Sequence, residues 1–148
     1  MRKYRKDEVC WCGSGKMYGE CHMEFDKKIM MFKKRFHKVP ERNIIKNEQQ
    51  LNGMRESSKI NMAVLDYVAQ NIHEGMTTQD IDNLVYEKTK EFGAIPAPLN
   101  YQGFPKSVCT SINDQVCHGI LSDNVRLIDG DIINVDCSTI LNGYFSDS

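Results

Sequence analysis

The sequence predicts an α+β protein, because two helical stretches are followed by strand-forming segments. Residues 47–74 and 77–92 place apolar side chains at the three- and four-residue spacings of amphipathic helices. Residues 108–112 and 132–140 are expected to form strands. The second segment is rich in β-branched residues and is bounded by the turn-forming pairs Asp129-Gly130 and Asn142-Gly143. A chain of 148 residues is long enough for one ordinary domain or for one domain plus a small module, and it can bury a core without disulfides.

Charge divides the chain into a basic and an acidic part. Residues 1–40 contain 11 Lys+Arg and 5 Asp+Glu, a net charge of +6, whereas residues 41–148 contain 8 and 15, a net charge of −7. Pro40 lies close to the change and is a plausible boundary mark. We therefore expect two modules with different partners, residues 1–40 and residues 41–148.

Hydropathy and cysteine usage bear on the compartment. The sequence has no run of about 18 apolar residues, which excludes a membrane span, and no apolar signal segment follows its basic first residues. We expect a cytoplasmic protein. The six cysteines are then expected to be thiols or metal ligands, since disulfides are rare in the cytoplasm.

Four metal-ligating side chains occur within 13 residues of the basic part, namely Cys10, Cys12, Cys21 and His22. Three thiolates and one imidazole are the ligands of a closed, tetrahedral zinc site. A segment this short has almost no apolar core, so metal binding would supply its folding free energy. The spacing resembles the SEC-C zinc motif, and we expect one structural zinc ion here.

A basic amphipathic helix is predicted after the cysteines and is expected to end at Pro40. Its apolar stripe comprises Phe25, Ile29, Phe32, Phe36 and Val39. Six cations lie largely off that stripe, at Lys27, Lys28, Lys33, Lys34, Arg35 and Lys38. Two interpretations stay open: the stripe packs on the next domain and the lysines are merely solvated, or the helix meets an anionic surface such as ribosomal RNA.

Both helices of the acidic part have boundary signals. The first is predicted to end at Gly75, and the second to begin at Thr77 with Asp80 in a near capping box. The first helix has its expected apolar face at Leu51, Met54, Ser58, Met62, Leu65, Val68 and Ile72.

A hairpin near the end of the sequence is its most informative feature. The pair Asn142-Gly143 is typical of a two-residue type I′ turn. With these residues as the loop, Ser138 pairs with Asp147, and Asp136 lies on the same sheet face as Ser138. The two aspartates are then diagonal neighbours, about 5–8 Å apart at Cβ.

Two neighbouring carboxylates are costly in an otherwise apolar strand, because each is desolvated and the two repel each other. A bound pair of cations would remove both penalties, since carboxylates can bridge hard metal ions. The alternative is that one aspartate is exposed and the other caps a turn. The pattern alone leaves both interpretations open.

Four segments carry a resemblance to a known family: EGMTTQDID (74–82), YQGFPKSVCTSIND (101–114), VCHGI (116–120) and LIDGDIINVDCSTILNGYFSDS (127–148). From about residue 44 onwards the chain resembles the first half of a type I methionine aminopeptidase. The resemblance implies the pita-bread fold, in which two pseudosymmetric halves hold a two-metal site. It also implies hydrolysis of the initiator methionine from new polypeptides.

The resemblance assigns roles to individual residues. Asp136 and Asp147 would be the aspartate ligands of two divalent ions, for which Co, Mn, Fe and Zn are all suitable. His118 matches the family histidine that lies beside the metals, contacts the substrate and takes part in catalysis. The pocket for the methionine side chain would be lined by Tyr101, Phe104 and Cys109.

The family's remaining ligands, one histidine and two glutamates, follow the hairpin in sequence, as does a further histidine that contacts substrate. The present sequence ends one residue after Asp147. We therefore expect residues 41–148 to be the N-terminal part of a truncated catalytic domain that is inactive alone, because two aspartates cannot hold an ion pair tightly.

Two functions without catalysis compete with the aminopeptidase. One is a zinc-containing adaptor or ribosome-binding protein built on half of the fold, and the other is a zinc-nucleated RNA-binding module with a passive body. The presence of Asp136, Asp147 and His118 favours the enzyme. Its expected partners are nascent polypeptides that begin with methionine and the ribosome, which the basic N-terminal region would contact, and we expect neither membrane nor DNA to be a partner.

Overall fold

A computed structural model describes residues 2–148 of the chain. The chain folds as two compact units, Met1–Leu51 and Asn52–Ser148. This structural boundary lies within a helix, eleven residues beyond the change of charge at Pro40. The division of the chain into a basic part, residues 1–40, and an acidic part, residues 41–148, with different partners stays a prediction.

The N-terminal unit contains the loop with the four predicted metal ligands, followed by a helix. A single antiparallel bridge, Val9 to Met17, closes the loop, and a short 3-10 helix, Tyr18–Glu20, leads into helix α1, Met23–Lys34. A second 3-10 helix spans Arg42–Ile44. Asp26 is the only buried residue of α1.

Helix α1 ends before Pro40, contrary to the sequence prediction. The helix is followed by Arg35 and by Phe36, which adopts the left-handed φ of 62° that stops helical hydrogen bonding. The predicted stripe is mostly at the surface, because the exposed fractions are 41% for Phe25, 50% for Phe32 and 99% for Phe36. The helix therefore presents both apolar and basic side chains to solvent.

Two helices contribute to the core of the C-terminal unit. Helix α2 spans Glu48–Asn71, and helix α3 spans Thr78–Glu91. The predicted capping box is confirmed, because Thr77 Oγ1 accepts from Asp80 N at 3.1 Å and Asp80 Oδ2 accepts from Thr77 N at 2.8 Å. These bonds satisfy backbone donors that the helix itself cannot pair.

The buried face of α2 differs from the predicted one. Its buried residues are Ser57, Asn61, Val64 and Val68, so only Val68 belongs to both sets. Met62, predicted to face the core, is 64% exposed. The helix is rotated by about one residue relative to the apolar stripe because Ser57 and Asn61 bond to the strands beneath them.

The strands form two small antiparallel sheets. In one, β1 (Ile95–Pro96) and the hairpin strands β4 (Ser138–Leu141) and β5 (Tyr144–Asp147) have the order β1-β4-β5. In the other, β2 (Cys109–Ile112) pairs with β3 (Ile133–Asp136). A short 3-10 helix, Tyr101–Gly103, lies in the connection between β1 and β2.

The hairpin register is confirmed, and the single strand predicted over residues 132–140 is wrong. Ser138 pairs with Asp147, and both loop residues have positive φ, 50° at Asn142 and 80° at Gly143. The chain leaves the β2–β3 sheet at Asp136 and enters the other sheet at Ser138, so Cys137 is the point of exchange. A continuous run of β-branched residues does not reveal such a change of partner.

The core of the C-terminal unit lies between the helices and the strands. Apolar side chains from α2, α3, the strands and the connections between them pack together, and its buried members are Val64, Val68, Met76, Ile81, Val85, Val108, Leu121, Leu127 and Cys137. Across residues 2–148, no helix has both the length and the apolar character needed to cross a bilayer.

The capping box yields a stability prediction. Replacing Thr77 by Ala should lower the free energy of unfolding by about 0.5–2 kcal/mol, because the backbone N–H of Asp80 loses its acceptor. Thr77→Ser keeps the hydroxyl and should retain most of the wild-type stability. Denaturant unfolding measures the free energy of unfolding of both variants, and equal losses of stability in the two would contradict the role of the hydroxyl.

Candidate functional site

The N-terminal loop brings all four predicted ligands together. The sulfurs of Cys10, Cys12 and Cys21 and a ring nitrogen of His22 lie within 4.8 Å of one another. His22 Nδ1 is 3.1 Å from Cys21 Sγ and 3.3 Å from Cys10 Sγ. Ligands of a tetrahedral zinc ion at about 2.3 Å lie about 3.8 Å apart. The donor set therefore fits one tetrahedrally coordinated metal ion.

Asp26 supports this loop from helix α1. Its carboxylate accepts hydrogen bonds from Trp11 Nε1 at 3.1 Å and Tyr18 Oη at 2.9 Å, and it also pairs with Arg42. The Trp11 ring in turn packs on His22, with ring centroids 4.5 Å apart. One buried carboxylate thus fixes the aromatic side chains around the ligands, as outer groups do in metal sites.

The thiols of the loop differ in proton affinity. Burial raises the pKa of the Cys10 thiol. Burial also acts to raise the pKa of Cys12, but hydrogen bonding with Ser14 and the neighbouring thiols outweighs it and lowers the value to about 6. Cys12 is therefore mostly thiolate at neutral pH, the form that binds metal.

The hairpin and β3 bring Asp136 and Asp147 to one cavity of about 250 Å³. Asp147 Oδ1 accepts a hydrogen bond from Ser138 Oγ, its partner across the hairpin. The aspartates come from different sheets, because the chain exchanges sheets at Cys137. The cavity is lined by Ser111, Cys117, His118, Asn134, Asp136, Asp147 and Ser148.

His118 lies at the same cavity in a left-handed backbone conformation, with φ of 56°. Its Nδ1 is 4.0 Å from Cys109 Sγ. The next residue has to be glycine, because a Cβ on Gly119 would lie 1.8 Å from Thr110 O. Thr110 N donates to Gly119 O at 3.2 Å, so the histidine is held against β2 by close backbone contact.

A larger and more apolar cavity of about 1030 Å³ adjoins the aspartates. The predicted pocket residues Tyr101, Phe104 and Cys109 all line it, together with His118, Asp136 and Asp147. The structure therefore brings all the predicted catalytic, metal and substrate residues of the C-terminal unit to two cavities that share three residues.

Two exposed apolar residues of the larger cavity were missed by the sequence reasoning, Phe145 and Ile120. Phe145 is two residues before Asp147 on β5, so the two-residue period of a strand could have found it. Ile120 lies in the irregular segment after His118, where no period applies.

The carboxylates make the surroundings of the site electronegative. Burial raises the pKa of Cys137 to about 12, and the charges of Asp136 and Asp147 add to this effect. Burial likewise raises the pKa of Cys109, with a further contribution from Asp136. Both thiols stay protonated at neutral pH, whereas a bound cation would be stabilised by the same field.

Comparison with known protein families identifies the class. Residues 52–148 match the family described as Metallopeptidase family M24, and residues 8–24 match the SEC-C motif. The first match covers more than half of the chain. The chain therefore belongs to metallopeptidase family M24 and carries a SEC-C motif, and divalent metal ions are implied by the family.

Within this family, the chain is similar to individual methionine aminopeptidases. The chain is 36% identical over 151 residues to a methionine aminopeptidase of Chlamydia trachomatis, covering 97% of this chain and 50% of that protein. It is 50% identical over 103 residues to methionine aminopeptidase 1A of Arabidopsis thaliana, covering 70% and 26%. The crystal structure of the Rickettsia prowazekii methionine aminopeptidase matches with a TM-score of 0.67 and 43% identity, covering 70% and 41%.

These matches confirm the predicted α+β, pita-bread fold and the predicted family. The chain spans about half the length, or less, of the curated relatives that it matches. Within residues 2–148, the four-residue cluster of the N-terminal loop is the only group of three or more His, Cys or carboxylate side chains close enough to hold one ion.

Proposed function

We propose that the protein is a metal-dependent methionyl aminopeptidase, with residues 44–148 supplying one half of the active site. The observation that carries this proposal is the convergence of Asp136, Asp147 and His118 on a cavity continuous with an apolar pocket. Relatives named methionine aminopeptidase support the choice of substrate. Nascent polypeptides that begin with methionine are the proposed substrates, and the cytoplasm is the proposed compartment.

Asp136 and Asp147 are proposed to hold two divalent ions, Co, Mn, Fe or Zn, through their carboxylate oxygens. Such ions, when bound, polarise the scissile carbonyl and lower the pKa of water. The Ser138 hydroxyl orients one carboxylate by donating to Asp147 Oδ1. Each carboxylate oxygen has more than one lone pair, so this bond would still leave Asp147 able to serve as a metal ligand.

His118 is proposed to act directly on the substrate. Both cavities include it, so its imidazole lies where the scissile amide would pass from the apolar pocket to the carboxylates. A ring N–H there would donate to the amide or to the oxygen on which negative charge develops. The strained backbone at φ of 56° is consistent with a residue held for such a task.

The larger cavity is proposed to bind the methionine side chain. Tyr101 and Phe104 supply aromatic surface, and Cys109 supplies a small, polarizable one. A thioether makes favourable contacts with aromatic rings. Phe145 adds a further apolar wall, 60% exposed in this chain.

Activity is tested in a protein in which residues 1–148 are joined to the second half of a related methionine aminopeptidase. Asp136→Asn or Asp147→Asn should lower release of methionine from a Met-Ala-Ser peptide by more than about 100-fold, because changes to groups merely supporting a metal ligand already cost about 10–100-fold. Metal content should fall in parallel. Asp123→Asn, an exposed carboxylate outside both cavities, is the matched control.

His118→Ala should lower turnover by about 100- to 1000-fold, the effect of removing one donor to a developing oxyanion, with metal content nearly unchanged. Turnover and metal analysis on the same preparation separate the two effects. Wild-type turnover in Asp136→Asn and Asp147→Asn would contradict the proposed role of the two aspartates, whereas no metal-dependent turnover in the wild-type protein would favour a non-catalytic adaptor.

The four-residue cluster of the N-terminal loop is proposed to bind one structural Zn²⁺. After dialysis against a weak chelator, the wild-type chain should retain about one zinc per chain, because Cys10, Cys12, Cys21 and His22 form a closed shell. Cys12→Ser should lose it, while Cys117→Ser should not. An ordered loop in the zinc-free chain, seen by NMR, would contradict the proposal.

Helix α1 is proposed to dock on the ribosome, where the substrate emerges. Exposed phenylalanines and methionines alternate on α1 with exposed lysines, which suits contact with ribosomal RNA. This arrangement does not require the α1 stripe to be buried.

Ribosome co-sedimentation measures this docking. Binding should weaken as salt rises, and changing Lys33, Lys34 and Arg35 to Ala should weaken it and reduce the slope of log affinity against log salt by up to about 3. A control in which these residues are exchanged as Lys→Arg and Arg→Lys keeps the charge and should bind normally. Binding that is insensitive to both salt and the alanine changes would refute the contact.

A further inference from the structure

Helix α2 turns two polar side chains, one helical turn apart, into the interior. Ser57 is fully buried and Asn61 is 2% exposed. Both hydrogen-bond to the segments that carry the two aspartates. Polar groups are buried at such positions only when hydrogen bonds compensate their desolvation.

Asn61 joins the two aspartate-bearing segments. Its Nδ2 donates to Cys137 O at 2.9 Å and to Ser148 Oγ at 3.0 Å. Ser148 Oγ in turn donates to Cys137 O at 2.9 Å. Cys137 directly follows Asp136 and Ser148 directly follows Asp147, so a single amide group fastens together the residues next to both carboxylates.

The partners determine the orientation of this amide. Cys137 O is an acceptor only, and the Ser148 hydroxyl uses its proton on that same carbonyl, so Nδ2 and not Oδ1 must face them. Asn61 Oδ1 is then buried without a hydrogen-bond partner among the described residues. An unpaired buried acceptor is unfavourable, so the two bonds of Nδ2 have to outweigh it.

Ser57 makes a second attachment one turn away. Its Oγ is 3.2 Å from Thr139 Oγ1 and 3.1 Å from Ser146 Oγ, and those two hydroxyls are 2.8 Å apart. Thr139 and Ser146 are the cross-strand pair next to Ser138 and Asp147. The helix therefore fixes both strands of the hairpin at its open end, next to the carboxylates.

The place of attachment matters because Cys137 is where the chain exchanges one sheet for the other. Asp136 is held by β2 and Asp147 by β4, and no strand pairing joins these two frames directly. The separation of the two carboxylates depends on the backbone between them at residue 137.

We infer that Asn61 is a positioning residue for the divalent ions, which sets the separation of Asp136 and Asp147 by tying Cys137 O to Ser148 Oγ. This inference rests on the proposed function, because it concerns the same carboxylates. Asn61 touches neither the ions nor the substrate. It acts through the backbone of Cys137 and the side chain of Ser148.

The affinity for Mn²⁺, measured by calorimetry, tests the inference. The protein used has residues 1–148 joined to the second half of a related methionine aminopeptidase, and its N-terminal loop is loaded with zinc beforehand. Asn61→Leu has a similar volume and no donor, and it should weaken Mn²⁺ binding by about 10–100-fold, as loss of an outer partner does in metal sites. Asn52→Leu, on an exposed part of the same helix, should bind Mn²⁺ as the wild type does.

Ser148 provides a second route that does not disturb the helix. Ser148→Ala should weaken Mn²⁺ binding in the same direction, and Ser148→Thr, which keeps the hydroxyl, should restore it. If Asn61→Leu fails to fold, this pair of variants decides the question. The visible spectrum of the Co²⁺-loaded protein should shift in Asn61→Leu and Ser148→Ala, since it reports on ligand geometry.

All measurements are made well below the unfolding temperature of each variant. If Asn61 had only a structural role, its replacement would lower the unfolding temperature in EDTA but leave the Mn²⁺ affinity and the Co²⁺ spectrum unchanged. Affinities within about twofold of wild type in both Asn61→Leu and Ser148→Ala, with binding lost in Asp147→Asn, would overturn the inference and leave the proposed function intact. Wild-type binding in Asp147→Asn would instead overturn the proposed function.

Discussion

The site depends on the exchange of sheets at one buried residue. Cys137 has no exposed surface, and the residues on either side of it hydrogen-bond to different strands. Because strand pairing is rigid within each sheet but absent between them, the relative placement of Asp136 and Asp147 is determined by contacts around residue 137. Ala97 N donates to Ser138 O at 2.8 Å, so β1 also fixes the chain immediately after the exchange. Both cavities are lined by Asp136 and Asp147, so the arrangement of carboxylates in each cavity depends on this junction.

The two compact units are stabilised by different means. Asn52–Ser148 buries a cluster of nine apolar residues from the two helices and from the segments between elements, and partly buried apolar residues of β2 and β3 pack against it. Met1–Leu51 buries only Cys10 and Tyr18 among its described apolar side chains. Its described polar centre is Asp26 with its three partners, next to a cluster of four side chains that fits one metal ion. Under the proposed zinc site, metal binding would supply the rest of its stability.

Local rules predicted the features that local chemistry decides. Asn142-Gly143 determines its own turn, the turn determines the register, and the register places Asp147 opposite Ser138. The capping box at Thr77 is likewise a local arrangement. The division of residues 132–140 between two sheets could not be predicted, because each half has the same β-forming composition and only distant partners distinguish them.

The rotation of α2 has the same physical origin. A hydrophobic period cannot show that Ser57 and Asn61 are buried, because their burial is compensated by hydroxyl and carbonyl groups more than 70 residues away. For the site, the residue types could be found from the sequence and the resemblance, and the period of β5 could also have found Phe145. Only the wall contributed by Ile120, in an irregular segment, required the folded chain.

Three of the six cysteines of the chain lie in or beside the site, and two of them, Cys109 and Cys137, are buried. Burial and the adjacent carboxylates raise the pKa of Cys137 to about 12, and burial also raises that of Cys109. A group whose pKa is raised in this way stays neutral below that pKa, so neither thiol offers a thiolate at neutral pH as nucleophile or ligand. The same two thiols act as small apolar surface beside a negatively charged cavity. An electronegative cavity next to an apolar pocket favours cations on one side and an uncharged side chain on the other, which is the division that the proposed metal-dependent aminopeptidase activity requires.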